Sequence, residues 1–228
     1  MRGLWLGGAV VGAVTGGLAA LPLAWVAGDR LAALDPDMAA LGSVWQGTLA
    51  HIDGLPPVFT RLDGRSVLVN ADAPGFRLEA RAGADALSDT SLSMPVRALA
   101  RFDARLSGLA GEVGAEIAAL RFEGGACAEA SGTACTDLLA RNAGAWGGWR
   151  GPELSGPVTC ENGEVVVSLA GRDASQTVEA RVAISPTGSY RASVDIATRE
   201  PGAQAVLPLF GFSPTASGWR LSESGSWR

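Results

Sequence analysis

The 228 residues are 47% hydrophobic, with mean hydropathy +0.21, and carry 23 acidic against 18 basic residues for a net charge of −5. Every basic residue is Arg, and the lack of Lys excludes a Walker A loop, Schiff-base chemistry, a Ser-x-x-Lys pair and a kinase strand lysine. The acidic balance excludes a nucleic-acid partner, and His51, the single histidine, excludes a two-histidine metal centre.

Gly3 to Gly28 contains no charge. Such a run is long enough to span a bilayer with some tilt. Arg2 and the amino terminus precede it, whereas Asp29, Asp35 and Asp37 dilute Arg30 beyond it. The positive-inside rule therefore predicts an anchor over residues 1–30, with residues 31–228 outside the cytoplasm. Trp5 and Trp25 lie near the two ends, where interfacial aromatics belong. A cleaved signal peptide is the competing reading, with Gly17-Leu18-Ala19 as its cleavage candidate. Gly8, Gly12 and Gly16 recur every fourth residue, a spacing that lets a second helix approach closely.

A helix-compatible piece, Asp29 to Leu41, links the anchor to the rest, after which alternation replaces helical periodicity. Phe76, Leu78 and Ala80 alternate with Arg77, Glu79 and Arg81. Val96 to Leu106 alternates too, with Arg97, Arg101 and Arg105 on its polar side. Leu120 and Phe122 follow, then Val165 to Leu169, Val178 to Ile184 and Tyr190 to Ile196. Asn162-Gly163 signals a tight hairpin because both residues tolerate positive φ, and Ser185 to Ser189 reads as a second turn. Helical pattern returns only at Thr136 to Ala143 and at Gln204 to Phe210, which Pro208 interrupts. The fold class expected is mainly β: one curved antiparallel meander with one or two short helices behind a transmembrane helix. Two helices cannot cover so many strands, so the sheet must bend over itself or hold something apolar in its concavity.

Cys127, Cys135 and Cys160 permit one bridge and one free thiol. Loop-closure entropy, roughly 3–4 kcal/mol for either partner of Cys160, does not choose between Cys127 and Cys135.

Three segments resemble the type II secretion system protein N family. Leu41-Gly42-Ser43-Val44-Trp45-Gln46-Gly47-Thr48 resembles its Gly-x-x-Trp-x-Gly segment after the anchor. Leu154 to Gly163, with Gly156, Cys160 and Gly163, is similar to its Leu-x-Gly-x-x-x-Cys-x-x-Gly segment before a hairpin. Gly218-Trp219-Arg220-Leu221 to Gly225-Ser226-Trp227 looks like its closing strand pair. The residues themselves read as turn, close-approach and core positions. The Gly124 to Cys127 stretch matches the family's first cysteine, which implies a Cys127–Cys160 disulfide and leaves Cys135 over. The resemblance further implies a single-pass protein of a bacterial inner membrane with its C-terminal domain in the periplasm. Its role would be non-enzymatic, in assembly with other inner-membrane secretion-system subunits.

The residues agree that chemistry is missing. No Gly-x-Ser-x-Gly elbow occurs, and His51 reads as an ordinary strand-end histidine. Glu161 and Glu164 flank the Asn-Gly turn as a solvated tip, and Gly108, Gly111 and Gly114 do not form a dinucleotide fingerprint. No catalytic, metal or cofactor site is expected. The partner face expected is Arg97, Arg101 and Arg105, since guanidinium groups make bidentate contacts with acidic surfaces. The alternative function is a periplasmic carrier of lipid or another apolar ligand on the concave face.

Overall fold

The computed structural model describes residues 38–42, 46–51, 56–97, 110–141, 149–186 and 188–226. The uncharged run Gly3 to Gly28, with Gly8, Gly12 and Gly16, lies outside them, as do Trp45, Arg101, Arg105 and Trp227. Among the described residues no helix is long and apolar enough to cross a membrane. The chain divides into two compact units, residues 1–73 and 74–228. It is mainly β, its sheet antiparallel and open, with little helix.

The first unit contains β1 (Met38–Gly42), β2 (Gln46–His51), β3 (Val58–Asp63) and β4 (Ser66–Ala73), paired in chain order. Strand β1 corrects the end of the helix expected over Asp29 to Leu41, at Met38 to Leu41; residues 29–37 lie outside the described residues. Met38-Ala39-Ala40-Leu41 carries good helix formers, but the backbone bonds offered by β2 override that weak preference. In β3 half-buried and exposed residues alternate strictly, as one covered face requires.

The second unit begins with β5 (Phe76–Ala82), β6 (Ala86–Pro95), β7 (Glu112–Glu123) and β8 (Ala126–Thr136). It continues with β9 (Leu154–Glu161), β10 (Glu164–Arg172), β11 (Gln176–Ile184) and β12 (Ser189–Thr198). The last two strands are β13 (Ser213–Thr215) and β14 (Gly218–Ser226). The order is sequential from β5 to β12, then β14 and β13. Between β9 and β10, Asn162 at φ 53° and Gly163 at φ 79° make the tight turn that their side chains permit. The turn after β11 closes with the Ser185 N–H donating to the Ser189 carbonyl at 2.9 Å.

The alternation read over Val96 to Leu106 is corrected where the structure describes it. Strand β6 ends at Pro95, and Val96-Arg97 form a turn of 3-10 helix. Pro95 has no N–H to extend the ladder, and Val96 turns inward to 2% exposure while bonding the Gly111 carbonyl. Thr136, expected in a helix, instead ends β8, and α1 spans only Leu138–Arg141. The second helical stretch starts earlier than expected: α2 covers Pro201–Val206 and passes into a 3-10 turn at Leu207–Phe210. Pro208 falls in the first turn of that segment, where its missing N–H costs nothing.

The core of the second unit lies where these helices cover the sheet. Trp149, Leu154, Val178, Ile196, Ala203, Val206 and Leu207 are buried together, with Leu169, Ala180, Val194 and Trp219 packed against them. Full burial of one such aliphatic side chain contributes roughly 1.5–3 kcal/mol.

Candidate functional site

Strand registers in the second unit sort its side chains onto two faces. One row runs Thr90, Ile117, Gly132, Val158, Val167, Val182, Ala192 and Glu223, each paired with the next. It is apolar except at its ends. Ser168, Arg181, Ser193 and Ser222 form a row on the opposite, polar face. Period-two alternation in each strand, held in register by short hairpins, produces both faces.

On the polar face each of four arginines already has a carboxylate. Arg121 meets Glu123 and Glu129, Arg181 meets Glu161, Arg191 meets Glu164, and Arg220 lies 2.6 Å from Asp195. All four guanidinium groups are exposed, so each pair contributes only about 0–1 kcal/mol. The hydrogen bond from Arg181, outweighing the small effect of burial, holds the Glu161 carboxyl below its ordinary value. A depression of about 560 Å³ opens on this face, with Arg181, Arg191, Ser193 and Ser222 in its lining. Arg181 and Arg191 in that lining are paired with Glu161 and Glu164. Glu161 and Glu164, read as a solvated tip beside the Asn162-Gly163 turn, reach back to Arg181 and Arg191, with Glu161 still exposed.

Cys127 and Cys160 are joined by a disulfide with Cα atoms 5.5 Å apart, and Cys135 is free and exposed. The Cys127 N–H also donates to the Gly163 carbonyl at 2.8 Å. The start of β8 is thereby tied to the β9–β10 turn twice, once covalently and once through the backbone.

The other expected positions fall as follows. Gly42 ends β1 and pairs with Gly47, which is buried in β2. Gly156 lies in β9 within a gap in the β9–β10 ladder, where a Cβ would collide with the Ser168 carbonyl oxygen. Only glycine allows that approach. Gly225 lies in β14 under the Tyr190 ring. Arg97 is exposed beyond the end of β6. His51 ends β2, paired with Met38. Among the described residues no group of three His, Cys, Asp or Glu side chains could hold a metal ion.

Two polar arrangements had no signature in the sequence. Gln176, 4% exposed, accepts a hydrogen bond from Trp149 Nε1 at 2.9 Å and donates to the Arg150 carbonyl and to Asp173 Oδ2. Asp137 accepts from Arg141 and from the Glu112 N–H, both at 2.6 Å. Burial pushes the Asp137 carboxyl up, but these hydrogen bonds and the Arg141 charge overcome it and hold the group below its ordinary value. Both join segments remote in sequence, and both build the fold.

A model of the family described as type II secretion system (T2SS), protein N, matches residues 38–221, well over half the chain. The chain belongs to the type II secretion system protein N family. That family is a component of the secretion system and is not a known enzyme family. No curated protein and no solved structure matches the chain. The match spans the first two motif segments, Leu41 to Thr48 and Leu154 to Gly163, and ends within the third at Leu221.

Proposed function

We propose that this protein is a non-enzymatic accessory component of a bacterial type II secretion machine. It is held in the inner membrane by one helix near its N-terminus and extends its β-region into the periplasm. The family match over residues 38–221 carries this reading. The uncharged run Gly3 to Gly28, with positive charge ahead of it, supports the anchor and its orientation. Arg97, Arg101 and Arg105, three guanidinium groups within nine residues that also hold Asp103, are the candidate contacts for acidic surfaces of neighbouring inner-membrane subunits.

Reversal of Arg97, Arg101 and Arg105 to Glu together should impair secretion while leaving the thermal unfolding of the protein unchanged. Normal secretion by a folded triple variant would remove this face from the proposal. A reporter fused after Arg228 should be active in the periplasm and sediment with membranes. Soluble periplasmic activity with a mature start near residue 20 would establish a cleaved signal peptide instead.

The apolar row from Ile117 to Ala192 favours a second reading, a carrier of lipid on that face. Lipid found by mass spectrometry in the purified full chain, together with unimpaired secretion by the triple-Arg variant, would favour the carrier over the machine component.

A further inference from the structure

We propose that two copies of this chain pair through the outer edge of β14, antiparallel and centred on Ser224. Strand β14 is bonded along residues 219–226 to β12, but on its other side β13 covers only Gly218 to Arg220. A two-residue turn joins β13 to β14, so Thr215–Gly218 and Ser213–Arg220 are the hydrogen-bonded pairs. Pro214, which has no N–H, stands opposite Trp219 between them. Backbone direction alternates along a strand, so the N–H and C=O groups of Ser222 and Ser224 point the same way as those of Arg220. Past β13 they meet no partner among the described residues. An open edge of this kind templates another strand.

The residues along the edge select the occupant and its register. Centring on Glu223 would set two carboxylates directly opposite each other, which is repulsive. Centring on Ser222 would drive the second strand onto Arg220, whose outward groups β13 already occupies. Centring on Ser224 sets Ser224 against Ser224, Ser222 against Ser226, and Glu223 against Gly225 of the second copy.

Tyr190 supports the same register independently. Its ring lies across Gly225, so that a Cβ there would come within 2.6 Å of Cε1 and 2.7 Å of Oη. The ring thus reaches from β12 over the edge strand, and its hydroxyl has no hydrogen-bond partner among the described residues. In the Ser224-centred pair the incoming Glu223 carboxylate arrives opposite Gly225, beside that hydroxyl. A tyrosine donor, a missing side chain beneath it and an incoming acceptor make the edge complementary to itself.

Crosslinking of the full chain in detergent micelles, in a Cys135→Ser background, reads this geometry. A hydrogen-bonded antiparallel pair has Cα atoms about 5.5 Å apart, within disulfide range. Ser224→Cys should therefore form a covalent dimer under mild oxidation. Ser222→Cys should not, because its two copies lie four residues out of register, about 13 Å apart. Ser224→Pro removes only an outward N–H, a change that edge strands tolerate. It should weaken self-association in sedimentation at least about tenfold with unfolding unchanged. Three results would each overturn the proposal: a protein monomeric at every concentration, dimers crosslinked better through Ser222→Cys, or dimers indifferent to Ser224→Pro. The last would assign pairing to the Gly8, Gly12 and Gly16 helix face, and the first would leave the edge to a strand of another protein.

Discussion

Gln176 connects three parts of the second unit through one amide: the Trp149 indole, the Arg150 carbonyl and the Asp173 carboxylate. Its surroundings are dry, with Trp149 at 2% and Gln176 at 4% exposure. Replacement by Leu keeps the volume but strands the indole N–H and the carbonyl. Gln176→Leu should therefore cost about 1–3 kcal/mol, read as a lower denaturation midpoint of the detergent-solubilised chain. An unchanged midpoint would show that water replaces the amide. Nothing in the sequence signals this clamp, because Trp149 and Gln176 are 27 residues apart and meet only when the β10–β11 hairpin has formed. Asn162-Gly163 was legible for the opposite reason: its chemistry is local, and positive φ at both positions suffices to make the turn.

The elements differ in legibility according to what specifies them. Strands β10, β11 and β12 are rich in Val and Ile, and β11 and β12 alternate, so the sequence alone identifies them as a meander. Strand β8, Ala126 to Thr136, is built from Ala, Cys, Glu, Gly, Ser and Thr, residues that signal neither strand nor helix. Its neighbours β7 and β9 supply the ladders that fix it, and the Cys127–Cys160 bond holds its start. Two register irregularities against β7 are a further mark of a strand shaped by its neighbours. The bridge closes a separation of 33 residues. Its removal by Cys127→Ser with Cys160→Ser should therefore lower stability by about 3–4 kcal/mol. The loss should be greatest in hydrogen-exchange protection of β8 and of the β9–β10 turn. Uniform loss of protection across the unit would show instead that these elements unfold only together with the rest. At Val96-Arg97 the alternation misled for a different reason: it is a pattern of side chains, whereas Pro95 ends β6 through the backbone.

At the scale of the molecule, anchor, sheet and family membership rest on separate observations. The sheet follows from the strand registers, family membership from the match over residues 38–221, and the proposed anchor from the uncharged run Gly3 to Gly28. The mainly β character was legible in the alternation, and the family was legible in three short glycine-bearing segments, two with tryptophan and one with Cys160. The division near Ala73 was not, because no linker composition marks it. A role in the secretion machine is the central claim, and deletion of the gene in the native host tests it most directly. Extracellular and periplasmic amounts of proteins exported by the type II route should be measured beside proteins exported by other routes. The account predicts that the type II cargo accumulates in the periplasm, that other exports are unaffected, and that the full chain restores release. Undiminished release of type II cargo from the deletion strain would contradict it.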